Sequence, residues 1–297
     1  MPDDDSARMM RAALAPGQVS WGGLLLGAGT PWRWGQLDGW EDLPGLDSGD
    51  VARPSRHGAW GGRDLAQPRV VTLAGQLACR RSQVPAMVAA LRSATRVADD
   101  AELLPLAVNA WGEELLAWAR PTQRLMPLAK GARLGLIPYT LQWTCPDPRR
   151  YSVEEHTREI LAPVRPADGL DYPLGYPLDY GAPMTGGAAT LTNQGTTGAH
   201  PVVTITGPCD RPQIVNRATG RALEFALTLA QAETLVVDCD AGTVLLSGSA
   251  DRLYTRTPAS VPVEAWTLPP GAAAIQFRPL AAGPGSSAVV RWRDAYL

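Results

Sequence analysis

The 297-residue sequence has no excess of charge of either sign and almost no lysine. Its 27 Lys and Arg residues face 29 Asp and Glu residues, giving a net charge of -2, and Lys130 is the only lysine. Without a basic field, the chain has no general attraction to nucleic acid or to anionic lipid. No apolar stretch approaches the roughly 18 residues of a membrane span, so neither a span nor a secretory signal is expected.

The sequence is also poor in groups that carry out chemistry. None of the three histidines has a partner at metal-ligand spacing, and the four cysteines lie far apart without a CxxC pair, which indicates buried free thiols: His57, His156, His200, Cys79, Cys145, Cys209 and Cys239. No phosphate-binding glycine loop and no GxSxG nucleophile motif is present. The sequence therefore predicts no catalytic residue, no cofactor and no metal site, and it predicts that the protein is not an enzyme.

One pair of carboxylates is a candidate calcium site. Asp238 and Asp240 follow a strand and precede Gly242. Paired carboxylates can hold calcium in principle. Acidic residues at an ordinary turn are the favoured interpretation.

Glycine, proline and tryptophan are abundant. The chain has 30 Gly and 27 Pro, which disfavours long helices and favours short strands joined by turns. With 45% hydrophobic residues it can build a substantial core. The expected fold class is mainly β.

Residues 17–161 are predicted to form a β-sandwich or barrel-like domain with one α-helix, preceded by a leader of residues 1–16. The period of apolar residues predicts strands at 18–26, 32–37 and 69–79 and an amphipathic helix at about 83–96. A hairpin (103–108 with 114–119) and a strand at 133–144 follow. The segment 41–68 has no regular period and is predicted to be a long functional or interfacial loop.

Residues 162–183 are rich in proline and glycine and are interpreted as a docked linker between two domains. Beyond it, residues 184–297 show strands at intervals of about 8 to 12 residues, which indicates an antiparallel β-sandwich.

Several short sequence motifs are similar to those of a known family. They are Asp147-Pro148-Arg149-Arg150-Tyr151-Ser152, the Tyr-Pro-Leu repeat of the linker, Asn193-Gln194-Gly195, residues 201–208, Ile214-Val215-Asn216, residues 234–238, residues 266–271 and the terminal Trp292-Arg293-Asp294-Ala295-Tyr296. Together with the order of domains, they resemble the distal tail proteins of long-tailed (siphovirus-type) phages, which include minor tail proteins.

The resemblance implies a virion structural protein at the phage tail tip, assembled in the bacterial host cytoplasm. The first domain would form a homohexameric ring below the tail tube, and the second would be a galectin-like sandwich that projects outward. Implied partners are other copies of the chain, the major tail tube protein and the tail tip hub or tail-associated protein. The tape measure protein and receptor-binding proteins complete the implied set.

Six residues are predicted to lie at interfaces. Aromatic and arginine side chains are the usual anchors of protein contacts, and two segments present them: Trp60, Arg56 and Arg63 in the long loop, and Tyr172, Tyr176 and Tyr180 in the linker.

Two other function classes stay open at this point. A carbohydrate-binding β-sandwich protein would also be rich in strands and tryptophan, and it would display an exposed aromatic platform. A hydrolase would need a clustered acid pair, such as Asp238 with Asp240 or Glu154 with Glu155.

Overall fold

The computed structural model describes residues 13–97, 100, 102–127, 134–163 and 186–297. The chain divides into two compact units, Met1–Val153 (grouped with Leu297) and Glu154–Tyr296. Both are mainly β, as the sequence predicted. No helix in the described ranges is long and apolar enough to cross a membrane.

The first unit contains twelve described strands and one described α-helix. The helix, α1 (Val84–Ala94), follows a 3-10 turn at Arg81–Gln83. The strands are β1 (Gln18–Trp21), β2 (Leu24–Gly27), β3 (Trp32–Asp38), β4 (Leu46–Asp47), β5 (Val51–Ala52), β6 (Ala59–Trp60), β7 (Leu65–Ala66), β8 (Arg69–Ala78), β9 (Leu104–Ala110), β10 (Glu113–Leu125), β11 (Leu136–Cys145) and β12 (Arg150–Ser152).

One antiparallel sheet with the order β2-β1-β9-β10-β11-β8-β3 forms the body of this unit, and β12 pairs with β10. The sheet curls so that its two edge strands approach each other, and the Trp34 indole on β3 donates a hydrogen bond to the Gly17 carbonyl at 3.1 Å. The barrel-like form expected from the sequence is therefore present.

Aromatic pairs fill the interior of the curled sheet. Trp21 packs on Trp143 with ring centroids 5.7 Å apart, and Trp32 meets Tyr139 edge to face at 5.2 Å. Helix α1 packs through buried Leu91, and its Ala94 carbonyl accepts a hydrogen bond from the Trp21 indole at 2.8 Å. Four large aromatic side chains thus lie in one core, which accounts for part of the high tryptophan content.

The second unit contains fourteen described strands and two short 3-10 turns, Leu253–Thr255 and Val263–Ala265. The strands are β13 (His156–Leu161), β14 (Ala188–Asn193), β15 (Val202–Thr206), β16 (Cys209–Asp210), β17 (Gln213–Asn216), β18 (Arg221–Glu224), β19 (Thr228–Leu229), β20 (Thr234–Asp238), β21 (Thr243–Leu246), β22 (Ala250–Asp251), β23 (Gly271–Phe277), β24 (Ala281–Ala282), β25 (Ser287–Trp292) and β26 (Ala295–Tyr296).

Two antiparallel sheets supply the core of the second unit. Their orders are β13-β25-β15-β20-β21-β22 and β14-β23-β17-β18, and a third sheet, β19-β16-β24, is small. Alternate residues along β20 are buried, as a strand with one covered face requires, and β15 buries Val203 and Ile205 together with its first residue, Val202.

Three expectations from the sequence need correction. The single strand expected at residues 18–26 is a hairpin of β1 and β2, because Gly22 and Gly23 both have positive φ and form a tight turn. The segment 41–68 contains strands β4 to β7 rather than lacking regular structure. Residues 156–161 form β13 and pair with β25 in the second unit, whereas the sequence predicts them to belong to the first domain.

Three of the four cysteines are buried and Cys79 is half-buried, and all four are free thiols. Burial raises the pKa of Cys145 to about 12 and also raises the pKa of Cys209 and Cys239. At pH 8, Cys145 therefore holds only about 1 part in 10⁴ as the reactive thiolate.

We expect N-ethylmaleimide at pH 8 to label the native chain once, at Cys79, and the denatured chain four times. Peptide mass spectrometry locates the labels. Rapid labelling of Cys145 or Cys239 in the native chain would contradict the described core.

Candidate assembly surfaces

Residues 41–68 form an exposed two-stranded projection from the first unit, here called the arm. Its strands β4 and β7 pair near the base, and β5 and β6 pair farther out, where Arg53 also donates its backbone N–H to Gly58. At about 3.3 Å per residue the arm reaches on the order of 25 to 30 Å from its base. The arm lies where the sequence predicted an interfacial loop.

Two glycines let the arm's strands approach each other in its middle. A Cβ atom on Gly62 would lie 2.0 Å from the Gly49 carbonyl oxygen, and a Cβ on Gly49 would lie 2.9 Å from the Arg63 carbonyl oxygen. Only glycine fits such a close backbone approach. Gly49 and Gly62 therefore shape the arm.

The arm exposes an unusual amount of apolar surface. Its exposed apolar side chains are Leu43 (71%), Leu46 (47%), Val51 (60%), Trp60 (54%) and Leu65 (53%). A two-stranded hairpin with no further strand beside it is marginally stable in water. Contiguous exposed apolar residues usually mark a surface that a partner covers.

Of the three predicted interface residues of the arm, Arg56 and Trp60 lie in its outer half, and Arg63 lies in its middle, opposite Gly49. Arg56 and Arg63 are exposed, and the Trp60 ring lies 5.9 Å from the guanidinium of Arg53. Residues 51–63 contain three arginines and no acidic residue. The outer arm thus combines one aromatic ring with a local positive charge.

A buried arginine fixes the base of the arm. Arg69 at the start of β8 is 2% exposed. Its Nη1 donates hydrogen bonds to the carbonyl oxygens of Gly39, Trp40 and Asp42 at 2.7 to 3.0 Å, and its Nε donates to Pro148 at 2.8 Å. These bonds hold the chain in place where it leaves β3 and enters the arm.

The charge of Arg69 is buried without a carboxylate bonded to it. Burial lowers its pKa, the nearby cation Arg150 lowers it further, and Glu41 and Asp42 act in the opposite direction. Arginine stays protonated in proteins nonetheless. Arg150 itself bonds Glu41 at 2.6 Å and lies over the Trp40 ring at 5.8 Å. Sequence reasoning missed this cluster, since nothing in the sequence marks Arg69 as buried.

We expect Arg69→Met to lower the free energy of unfolding of the first unit by about 3 kcal/mol, because four carbonyl groups lose a charged donor. Urea denaturation followed by tryptophan fluorescence reports on this unit, which holds eight of the ten tryptophans. The matched control is Arg33→Met on β3, an exposed arginine, for which a change within about 0.5 kcal/mol is expected. Equal effects of the two substitutions would contradict the proposed role of Arg69.

Part of the second unit matches the model of a known protein family. Residues 194–296 match the model of the siphovirus-type tail component, C-terminal domain. These residues of the second unit are therefore similar to that domain, and the second unit is called the tail component domain from here on. The resemblance to distal tail proteins that the sequence motifs indicated is thereby confirmed.

The fold of the whole chain is similar to that of a solved tail component. This chain superposes on the crystal structure of the Dit protein (gp 19.1) of phage SPP1 with a TM-score of 0.62 at 10% sequence identity. That protein is described as a paradigm of the hub adsorption apparatus in phages infecting Gram-positive bacteria. The match covers 94% of this chain and 99% of that protein. This chain superposes on a chain of the phage P2 baseplate, in its activated conformation with Ca, with a TM-score of 0.48 at 9% sequence identity. That match covers 87% of this chain and 89% of the baseplate chain. No curated protein sequence matches the chain.

In the tail component domain, Asp238 and Asp240 belong to a turn. The Asp238 Oδ1 atom accepts the backbone N–H groups of Asp240 and Ala241 at 2.9 and 3.0 Å. Among the residues that the structure describes, no group of three or more His, Cys, Asp or Glu side chains is placed to hold a metal ion.

Histidine in the tail component domain takes part in a structural contact. His156 Nε2 lies 3.1 Å from Asp294 Oδ2, and its ring lies 5.4 Å from that of Trp292. Asp294 also accepts the backbone N–H of Gln194 at 3.0 Å. These contacts join β13 to residues 292–296, the C-terminal motif that resembles the family.

The exposed aromatic residues bear on the carbohydrate alternative. In the described part of the tail component domain, Tyr254 is the one large aromatic side chain that is strongly exposed. A sugar-stacking platform of several rings is thus missing from those residues. The predicted interface residues Tyr172, Tyr176 and Tyr180 lie in the part of the linker (164–183) that is outside the described residues, and their role stays a prediction.

Proposed function

We propose that six copies of this chain form a closed ring at the distal end of a phage tail tube, where the ring joins the tube to the tail tip hub. The observation that carries the proposal is the arm, whose exposed apolar residues and arginines are suited to a contact with another protein. A head-to-tail contact between identical subunits closes into a ring when the rotation between them allows it. The proposed role is structural, without an enzymatic reaction.

The same features suggest different roles for the two units. The first unit carries the arm and would provide the contacts within the ring. The tail component domain would project from the ring and contact hub or receptor-binding proteins. The proposed location is the virion tail tip, after assembly in the bacterial cytoplasm. The major tail tube protein is the expected partner on the opposite side of the ring, with the tape measure protein as a further candidate.

The proposal is tested by mixing the purified chain with assembled tail tubes of the same phage. Negative-stain microscopy with a labelled chain should show rings bound at one end of each tube. Binding along the tube wall, at both ends equally or not at all would contradict the proposed position.

A further inference from the structure

The turn between β9 and β10 holds a tryptophan that the described fold does not use. Trp111 and Gly112 form this two-residue turn, and both have positive φ, 55° and 92°. A turn of this kind favours asparagine or glycine at its first position, and a bulky side chain there costs conformational free energy. The Trp111 side chain is 93% exposed. An exposed indole on a costly backbone indicates a contact that the described residues do not supply.

The leader enters the described structure beside this turn. Leu14 donates its backbone N–H to the Glu114 carboxylate at 3.0 Å, and its carbonyl oxygen accepts a hydrogen bond from Asn109 Nδ2 at 2.6 Å. Gly17 donates its N–H to the Asn109 carbonyl at 2.9 Å. Asn109 and Glu114 face each other across β9 and β10, each two residues from the turn. Leu14 is therefore fixed on the order of 7 Å from the turn.

The chain that precedes Leu14 is long enough to reach the turn. Residues 1–12 lie outside the described residues, and Met10 is four residues before Leu14. An extended chain spans at most about 3.5 Å per residue, so Met10 lies within about 14 Å of Leu14 in any conformation. Methionine adapts its shape and makes favourable contacts with aromatic rings through its sulfur atom. Met9 and Met10 therefore have both the reach and the chemistry to cover Trp111.

Charge selects the same part of the leader. Residues 104–116 contain two acids, Glu113 and Glu114, and no cation. Residues 6–16 contain two cations, Arg8 and Arg11, and no acid. Glu113 is exposed, so a guanidinium can reach its carboxylate. Opposite charges across a contact fix its orientation.

A buried polar atom of the same hairpin has no partner. Asn109 is 6% exposed, and its Oδ1 atom accepts no hydrogen bond from the residues that the structure describes. Buried acceptors without a donor are rare in proteins. The Nδ2 atom of the same side chain already binds the leader at Leu14. A donor that arrives with the residues before Leu14 would complete the hydrogen bonds of Asn109.

We propose that residues 8–11 of the leader dock on the β9–β10 turn of their own copy, with Met10 against the Trp111 ring and the two arginines beside Glu113. A tryptophan ring that leaves water gains free energy in proportion to the apolar area it buries. The contact lies within one copy, so it does not depend on the proposed ring. It also gives Trp111 a partner other than a neighbouring copy.

Limited trypsin digestion of the full-length chain tests this contact, because a docked segment resists cleavage until it leaves its surface. Trypsin cleaves after arginine, and Trp111→Ala should raise the rate of cleavage after Arg11 by about tenfold at a concentration at which the chain is monomeric. The matched control Trp60→Ala, at a half-exposed tryptophan of the arm, should leave that rate unchanged. Cleavage after the exposed Arg56 should be equally fast in the native chain and in Trp111→Ala.

Fluorine NMR follows the indole itself. In the chain labelled with 5-fluorotryptophan, the resonance that Trp111→Phe lacks belongs to Trp111. Its shift difference between H2O and D2O should increase when residues 1–12 are removed, because the ring then meets solvent. Glu113→Arg should also increase this difference, whereas Glu113→Asp, which keeps the charge, should not.

The outcomes decide the inference separately from the ring. Equal cleavage after Arg11 in the native chain and in Trp111→Ala would overturn it, as would a Trp111 resonance that does not respond to the removal of residues 1–12. Protection of Arg11 that develops only at concentrations at which rings form would show that a neighbouring copy covers the turn, which also overturns it. A chain that protects Arg11 but forms no ring would reject the ring and leave this contact intact.

Discussion

Trp60→Ala is expected to raise the concentration needed for ring assembly by about 30-fold, the effect of losing roughly 2 kcal/mol at an interface anchor. The isolated subunit should stay folded, because the Trp60 side chain is half-exposed and outside the core. Light scattering coupled to size exclusion measures assembly across a concentration series, and circular dichroism checks the fold.

The matched control for this experiment is Trp111→Ala. Trp111 is 93% exposed and lies in the two-residue turn between β9 and β10, away from the arm. Its replacement should leave assembly unchanged. If Trp60→Ala assembles as well as the native chain, the arm is not the main contact, and a loss of secondary structure in that variant would show that Trp60 supports the fold instead.

A fragment of residues 154–297 is expected to fold alone, whereas residues 184–297 should be less stable by at least about 3 kcal/mol or fail to fold. The shorter fragment lacks β13, whose six residues pair with β25, and it lacks Ile160, which is 2% exposed in the core. Loss of a buried isoleucine alone costs about 2 to 5 kcal/mol. Urea denaturation of the two fragments gives the comparison.

Substitution within the longer fragment supplies a control. Ile160→Ala should lower its free energy of unfolding by about 3 kcal/mol, and Thr157→Ala, at an exposed position of the same strand, should change it little. Equal stability of the two fragments would mean that the domain boundary lies in the linker, as the sequence suggested, and that β13 contributes nothing.

Strands with one buried face were the most predictable part of the fold. The sequence prediction of a strand over 69–79 agrees with β8 at residues 69–78, because its alternating apolar residues face the curled core. The helix was predictable for the same reason, although it is shorter than expected. β13 was missed because its burial pattern leaves only Ile160 fully buried, which gives no clear period.

The arm shows the limits of reading a surface from sequence. Its proline, glycine and charged residues indicated an interfacial segment, and Trp60, Arg56 and Arg63 were identified as anchors from their residue types alone. The strand pairs of the arm depend on close backbone contacts, such as the one between Gly49 and Gly62. Such contacts produce no periodic pattern of apolar residues in the sequence. The Arg69 cluster was not predictable, because an arginine that satisfies backbone carbonyls has no partner visible in the sequence.

The central claim, a ring of six copies, is tested most directly by native mass spectrometry of the full-length chain over a range of concentrations, alone and with tail tubes. The account predicts a dominant species of six times the 31.6 kDa chain mass, without abundant larger open oligomers. A chain that stays monomeric at every concentration and also in the presence of tubes, or one that forms another closed number, would contradict it.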